Sequence, residues 1–458
     1  MFGKSDKKDN IEMITGNPKK AILKLSIPMM LTLLVGVLYN VVDSIWVVGL
    51  GPEPLVAMGL ITPLYMITEA IGNGIGAGAN SLISRYIGAE KYTQANNAGI
   101  HALLLSIIFS VIPSVIILIF LKPVLLFLGA GTSLKYAMDY SSVLFSFLLI
   151  IILSAVLTAI FRAEGNIKTV TFALLFSSLL NYILDPVFIY GLNLGIAGSA
   201  WATVLSALIS IIILSYGVWI RKSTFLNLSF KTFSFSSDII KKIFLVAIPS
   251  SLQLIIMALM FSVVISLLLE VAGHTAVAVV TASFQIILLA NLPLNSLGVA
   301  LLTVVGVAYG AKNYKNLMTA FYHSIKLGFI FTFVIVIFIF LFSSQIAYIF
   351  SYNSQNAILN PYIASTIRFL SLYVLVSAPA LMSYAFFQGV GKGIYSLILN
   401  FISSLLLESI FAYIFGIIFG WGVEGIYIGL IFGCLLGSII SFTFVSIFMK
   451  RFKKGSTV

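Results

Sequence analysis

Four acidic residues stand inside long apolar runs: Asp43 in LYNVVDSIWVV, Glu69 in LYMITEAIG, Asp185 in NYILDPVF and Glu408 in LLLESIF. Glu270 closes a fifth run, VVISLLLE, near an outer helix end. A carboxylate in such surroundings costs several kcal/mol if ionised and unpaired, so each is expected to be protonated, paired or turned toward a wet cavity. Asn181 lies one helical turn before Asp185, and Tyr39 and Asn40 lie one turn before Asp43, so both aspartates share a helix face with polar neighbours. Two carboxylates brought together in a low dielectric titrate as a coupled pair, which is chemistry suited to taking up and releasing an ion.

Pro186 cannot donate its backbone N–H and crowds the carbonyl of Tyr182, so it is expected to bend its helix or free an acceptor beside Asp185. Pro28 is placed to do the same early in the first apolar run. Glu69 precedes GNGIGAGAN (72–80) and is expected either to face a cavity or to play a structural part. That glycine run lacks the strand and βαβ context of a phosphate loop, and close helix packing through small residues is the better account. His101, His323 and His274 fall at separate helix ends and do not converge, and the single cysteine, Cys434, allows no internal disulfide. No catalytic constellation or metal cluster emerges, and the chain is not expected to be an enzyme.

The elements that must position these groups follow from composition. Of 458 residues 60% are hydrophobic and 9% charged, with mean hydropathy +1.13. A soluble domain carries roughly 25% charge, so this is an integral membrane protein. Apolar runs longer than about twenty residues suit α-helices crossing a core of about 30 Å and are too long for barrel strands. Gly, Pro and charge punctuation divides the chain into about twelve spans, near 21–49, 55–85, 95–121, 136–162, 168–190, 196–220, 240–270, 276–308, 317–343, 362–389, 394–419 and 424–450. With a cytoplasmic N-terminus, only Lys122, Lys135 and Arg368 of the 26 basic residues face outward, which places both termini in the cytoplasm. The net charge of +12 is therefore topological and implies no nucleic-acid partner. The polar first twenty residues lack a signal-peptide core, and the first span is the expected insertion signal.

The halves echo each other at an offset of about 222 residues. Ile27–Pro28 recurs as Ile248–Pro249, YIGAEKY (86–92) as AYGAKNY (308–314), and His101 as His323, while FRAEGN (161–166) is matched by FFQGVGKG (386–393) after a small shift. The expected division is an N-terminal lobe at 1–220, a cytoplasmic linker at 221–239 and a C-terminal lobe at 240–458. Six spans per lobe make the repeat parallel, with a pseudo-two-fold axis along the membrane normal and a central cavity opened alternately to each side. Val264 falls at Asp43's place in the second half and residues 411 and 412 at that of Asp185, so the polar site is expected in the first lobe alone.

LSIPMMLTLLVGVLYNVVDSIWVVGLGPEPLVAMGL (25–60), SRYIGAEKYTQAN and FRAEGN resemble the multidrug and toxic compound extrusion (MATE) transporters, most closely their bacterial and archaeal branch named after the DNA-damage-inducible transporter. The resemblance covers nearly the whole chain. It implies export of lipophilic, often cationic small molecules in exchange for H+ or Na+, with no other cofactor. It also implies an ion site in the first lobe built from Asp43, Asn181 and Asp185, with Thr203 from GSAWATVLS and Tyr39 beside the first-span aspartate. Sodium would draw on the hard oxygens of Asp43, Asp185, Asn181 and Thr203. The expected setting is the cell membrane, with lipids around a monomer. A lipid-linked oligosaccharide or lipid flippase shares the two-lobe plan, but its diphosphate cargo calls for cationic residues that these spans almost lack. Which of the 37 Phe, 12 Met and 20 Tyr line a substrate cavity is not legible, because apolar residues also cover the lipid face.

Overall fold

The computed structural model describes residues 5–221, 223–351 and 357–454. Its α-helices are α1 (Ser5–Thr15), α2 (Pro18–Val48), α3 (Pro52–Gly88), α4 (Tyr92–Phe127), α5 (Leu134–Ser146), α6 (Leu148–Ala163), α7 (Ile167–Pro186), α8 (Ile196–Ser215), α9 (Ser237–Ala290), α10 (Leu292–Gly310), α11 (Tyr314–Ser351), α12 (Asn360–Gly389), α13 (Gly393–Asn400), α14 (Ser409–Tyr413) and α15 (Gly422–Lys453). Eleven helical segments among the described residues can cross a bilayer, and α5 with α6, bent by 50° across Phe147, supply a twelfth span. Backbone groups inside hydrocarbon must bond within their own helix, and this explains why no strand occurs among the described residues. Large apolar side chains such as Ile119 and Phe120 of α4 or Phe333 and Leu341 of α11 point outward, where lipid and not water is the solvent.

The 54 residues of α9 would measure about 80 Å if straight, far more than a bilayer. Gly273, with φ 69°, breaks it, and its second part runs on through Asn291, in helical backbone, into α10 as one span, so the count stays at twelve. That left-handed residue belongs to a set that recurs in the two halves: Gly51 matches Gly273, Glu90 matches Lys312, Gly165 matches Gly391, and Gly195 matches Gly422, all with positive φ. Glu90 (φ 59°) and Lys312 (φ 53°) are not glycines, and both sit in the YIGAEKY and AYGAKNY echoes. The repeat seen in the letters is therefore also a repeat of unusual backbone.

The chain forms two compact units, one of residues 1–16 and 27–251 and the other of 17–26 and 252–458. Small residues set the packing of the first: Gly76 approaches Ala159, and a Cβ on Gly78 would stand 2.5 Å from the carbonyl oxygen of Ile243. The connection after α8 groups with this unit and is laced to it. Glu164 Oε2 accepts the N–H groups of Phe225 and Leu226 at 2.8 and 3.1 Å. Asn97 bonds Ser234 in both directions, and His101 Nε2 accepts the N–H of Ser236. Burial pushes the Glu164 carboxyl up to about 7, against the opposing effect of those N–H groups, Asn166 and Lys7.

Candidate functional site

Three helices of the first unit, α2, α7 and α8, bring the sequence-derived polar residues together. Asp43 is 5% exposed and accepts the hydroxyl of Ser199 at 2.5 Å. One turn earlier on α2, the Tyr39 hydroxyl lies 2.6 Å from Thr203 Oγ1 on α8. Asn40 shares that turn, but its side chain lies outside the described part of the structure. Asp185 and Asn181 of α7 are both fully buried. With the amide turned so that both its ends are satisfied, Asn181 donates to Asp185 Oδ2 at 2.9 Å and accepts the N–H of Thr203 at 3.2 Å. The other oxygen, Asp185 Oδ1, has no hydrogen-bond partner among the described residues. The two aspartates are close enough to feel each other's charge, and neither joins an ion pair among the described residues.

Buried polar groups of this kind are costly unless each is satisfied. Here Ser199 satisfies one oxygen of Asp43 and Asn181 one oxygen of Asp185. Pro186 ends α7, and the chain continues as a π-helical turn, Val187–Gly191. This is the local loosening expected where a proline removes an N–H. The turn is held from two sides, by the Tyr190 hydroxyl donating to the Trp46 carbonyl and by Gly198, whose Cβ would stand 2.6 Å from the Phe188 carbonyl carbon. Pro28 lies inside α2, which runs on through it.

A cavity of about 290 Å³ opens beside the cluster, lined by Tyr39, Asn181 and Thr203 at the cluster and by Tyr65, Glu69, Asn73 and Arg162 among others. Glu69 faces this space and is exposed in it. Ser199, Tyr65 and Arg162 are site residues that the sequence did not single out. Ser199 lies one turn before Thr203 in GSAWATVLS, so a helix-face argument could have found it. Arg162 counted only as a topological charge, and its place in a cavity depends on the tertiary fold.

The second unit also buries a carboxyl: Glu408 is 1% exposed. It sits at the end of an eight-residue π-helix, Phe401–Glu408. The offset of 227 set for this span by Gly195 and Gly422 puts Ala412 at Asp185's place and Glu408 at that of Asn181, one turn before the position matched to the aspartate. Glu270, by contrast, is exposed.

A family model described as MatE matches residues 28–187 and 249–414. The multidrug export protein MepA of Staphylococcus haemolyticus is 30% identical over 271 residues, which are 58% of this chain and 59% of that protein. The chain thus matches about three-fifths of that relative's length. Two solved structures are similar over almost all of the chain at 35% identity. MATE in the straight conformation gives a TM-score of 0.93, covering 97% of this chain and 99% of that one. MATE in the bent conformation gives 0.92, covering 98% and 99%.

Proposed function

The chain belongs to the MatE family, and from that premise we propose that it is a secondary active multidrug efflux antiporter, exporting lipophilic and often cationic compounds in exchange for protons. The observation that carries the proposal is the Asp43–Asp185 cluster: two buried carboxylates, each with one oxygen satisfied, and no cation paired to either among the described residues. Such a pair holds a proton readily and cannot hold two negative charges cheaply. Proton uptake neutralises the cluster, and α2 and α7 then repack, with Pro28 and Pro186 as the points of give. Solved MATE structures in a straight and in a bent conformation support a transporter that moves between two shapes. Transport proceeds by alternating access, with the substrate path open to one side of the membrane at a time. The protein works as a monomer in the cell membrane with both termini in the cytoplasm.

The lipid-flippase alternative has less support, because Arg162 is the one cation among the residues lining the cavity of the first unit. The test is proteoliposomes loaded with a fluorescent cationic dye, with proton or sodium gradients imposed separately. Proton-driven efflux supports the proposal. Efflux driven by sodium alone reassigns the ion, and efflux indifferent to both gradients rules out antiport.

A further inference from the structure

Outside the first unit, one buried titratable group has no part in the proposed coupling: Glu408, deep in the span Gly393–Ile418. Both its oxygens lie 3.3–3.4 Å from the Tyr373 hydroxyl of α12. The Cys434 thiol of α15 faces it, and Tyr384 is the remaining titratable neighbour. From α9 it meets only apolar side chains: a small cavity of about 40 Å³ beside the carboxyl is lined by Met260, Phe261, Val264 and Phe284, among others. Among the described residues no cation pairs with Glu408.

Three features set this group apart from a carboxyl that merely fills space. First, it closes the π-helix Phe401–Glu408, and π-turns occur frequently at functional sites because their wider backbone can shift register. Second, the backbone beside it is clamped by α15: a Cβ on Gly433 would stand 2.6 Å from Glu408 Cα. The side chain is thereby fixed against Tyr373 and is not free to snorkel toward water. Third, its cavity includes Val264, the residue at Asp43's place in the repeat. The second unit thus keeps one carboxyl where the first has a pair.

We propose that Glu408 is a second proton-binding site, belonging to the second lobe, which holds a proton in the conformation described here and releases it to water when that lobe rearranges. The donor set argues for a proton over a metal cation. One carboxyl and one phenol in an apolar pocket fall far short of the several oxygens a hard cation requires, whereas an unpaired buried carboxyl is stable when neutral. Tyr373 and the protonated carboxyl then exchange hydrogen bonds with no net charge in the pocket. The proton bound at Glu408 leaves as hydronium or to buffer, so charge and protons balance without another reactant.

The test reads protonation and not transport, so its outcome is independent of the coupling proposed for the first lobe. Infrared difference spectra of the full chain in lipid, recorded across a pH series and with and without a cationic dye, report protonated carboxyls through their carbonyl stretch. The expected result is one such band that weakens as pH rises or dye is added, is missing from Glu408→Gln, and persists in the Asp43→Asn/Asp185→Asn double variant. Tyr373→Phe keeps the carboxyl, so it serves if Glu408→Gln fails to fold, and it should shift the frequency of that band. A Glu408→Gln spectrum identical to the wild type, or a band indifferent to both pH and dye, overturns the proposal. Under the second outcome Glu408 would be a permanently protonated structural acid.

Discussion

The two units share a repeated backbone and differ in what they bury at its centre. In the first, α2, α7 and α8 surround two aspartates with Tyr39, Asn181, Ser199 and Thr203. In the second, Val264 and aromatic side chains surround a single glutamate held by Tyr373. The left-handed residues that shape the loops are preserved across the halves, Glu90 with Lys312 and Gly165 with Gly391, while the polar cluster is not. Duplication supplies a scaffold that tolerates different interiors, because helix ends and glycine contacts position the spans whatever their buried faces carry. On the two proposals above, pair chemistry belongs to the first unit and single-site chemistry to the second.

Replacing Asn181 with Leu should blur that contrast most among the neighbours of the pair. It leaves Asp185 Oδ2 without the donor that stabilises its ionised form, a loss of about 1–3 kcal/mol that should tighten the apparent affinity for the coupling proton about tenfold. The check is the proton dependence of dye efflux, and an unchanged midpoint would remove Asn181 from the site. The scaffold, by contrast, should answer alike in both units. Gly198→Ala and Gly425→Ala each push a Cβ into backbone at 2.5–2.7 Å, and each should cost about 1–3 kcal/mol by overpacking. Thermal unfolding in detergent measures this, and a large cost in only one unit would break the equivalence.

Tyr39→Phe removes one hydrogen bond to Thr203, worth about 0.5–1.5 kcal/mol, so proton-driven efflux should fall by only a few-fold. A loss as complete as that of an aspartate variant would make Tyr39 a proton carrier in its own right. The smallest effect is expected at Glu164, outside the spans. Its carboxyl is raised by burial from 4.5 to about 7, so the folded state binds the proton more tightly than the unfolded chain does. Its contribution is full below about 4.5 and is lost as pH rises through about 7. Glu164→Gln should flatten the pH dependence of stability in that window, and an unaltered slope would mean that the carboxyl titrates elsewhere.

Much of this was legible in the sequence. Unbroken apolar runs gave the spans, the IP and YGA echoes gave the repeat, and Asp43, Asn181 and Asp185 stood out because charge and amide are expensive in hydrocarbon. Tyr39 stood out one turn before Asp43, Thr203 came from the family resemblance, and their hydroxyls lie 2.6 Å apart. The partners contributed from across the bundle were not legible. Ser199 meets Asp43 over a separation of 156 residues, and Tyr65, Glu69 and Arg162 line one cavity only when α3 and α6 are packed together. Glu408 was undervalued for a different reason: it falls at Asn181's place in the repeat, one turn before Ala412 at that of Asp185. The connection after α8 reads as a polar linker, and its sequence gives no sign of the Asn97, His101 and Glu164 bonds that hold it.

The claim on which the account turns is that Asp43 and Asp185 together form the coupling site. Its most direct test is dye efflux under an imposed proton gradient from proteoliposomes carrying wild-type protein, Asp43→Asn or Asp185→Asn, with equal amounts of folded protein confirmed in each. The account predicts that either substitution reduces gradient-driven efflux to the leak of protein-free vesicles. Efflux at the wild-type rate from both variants would contradict it.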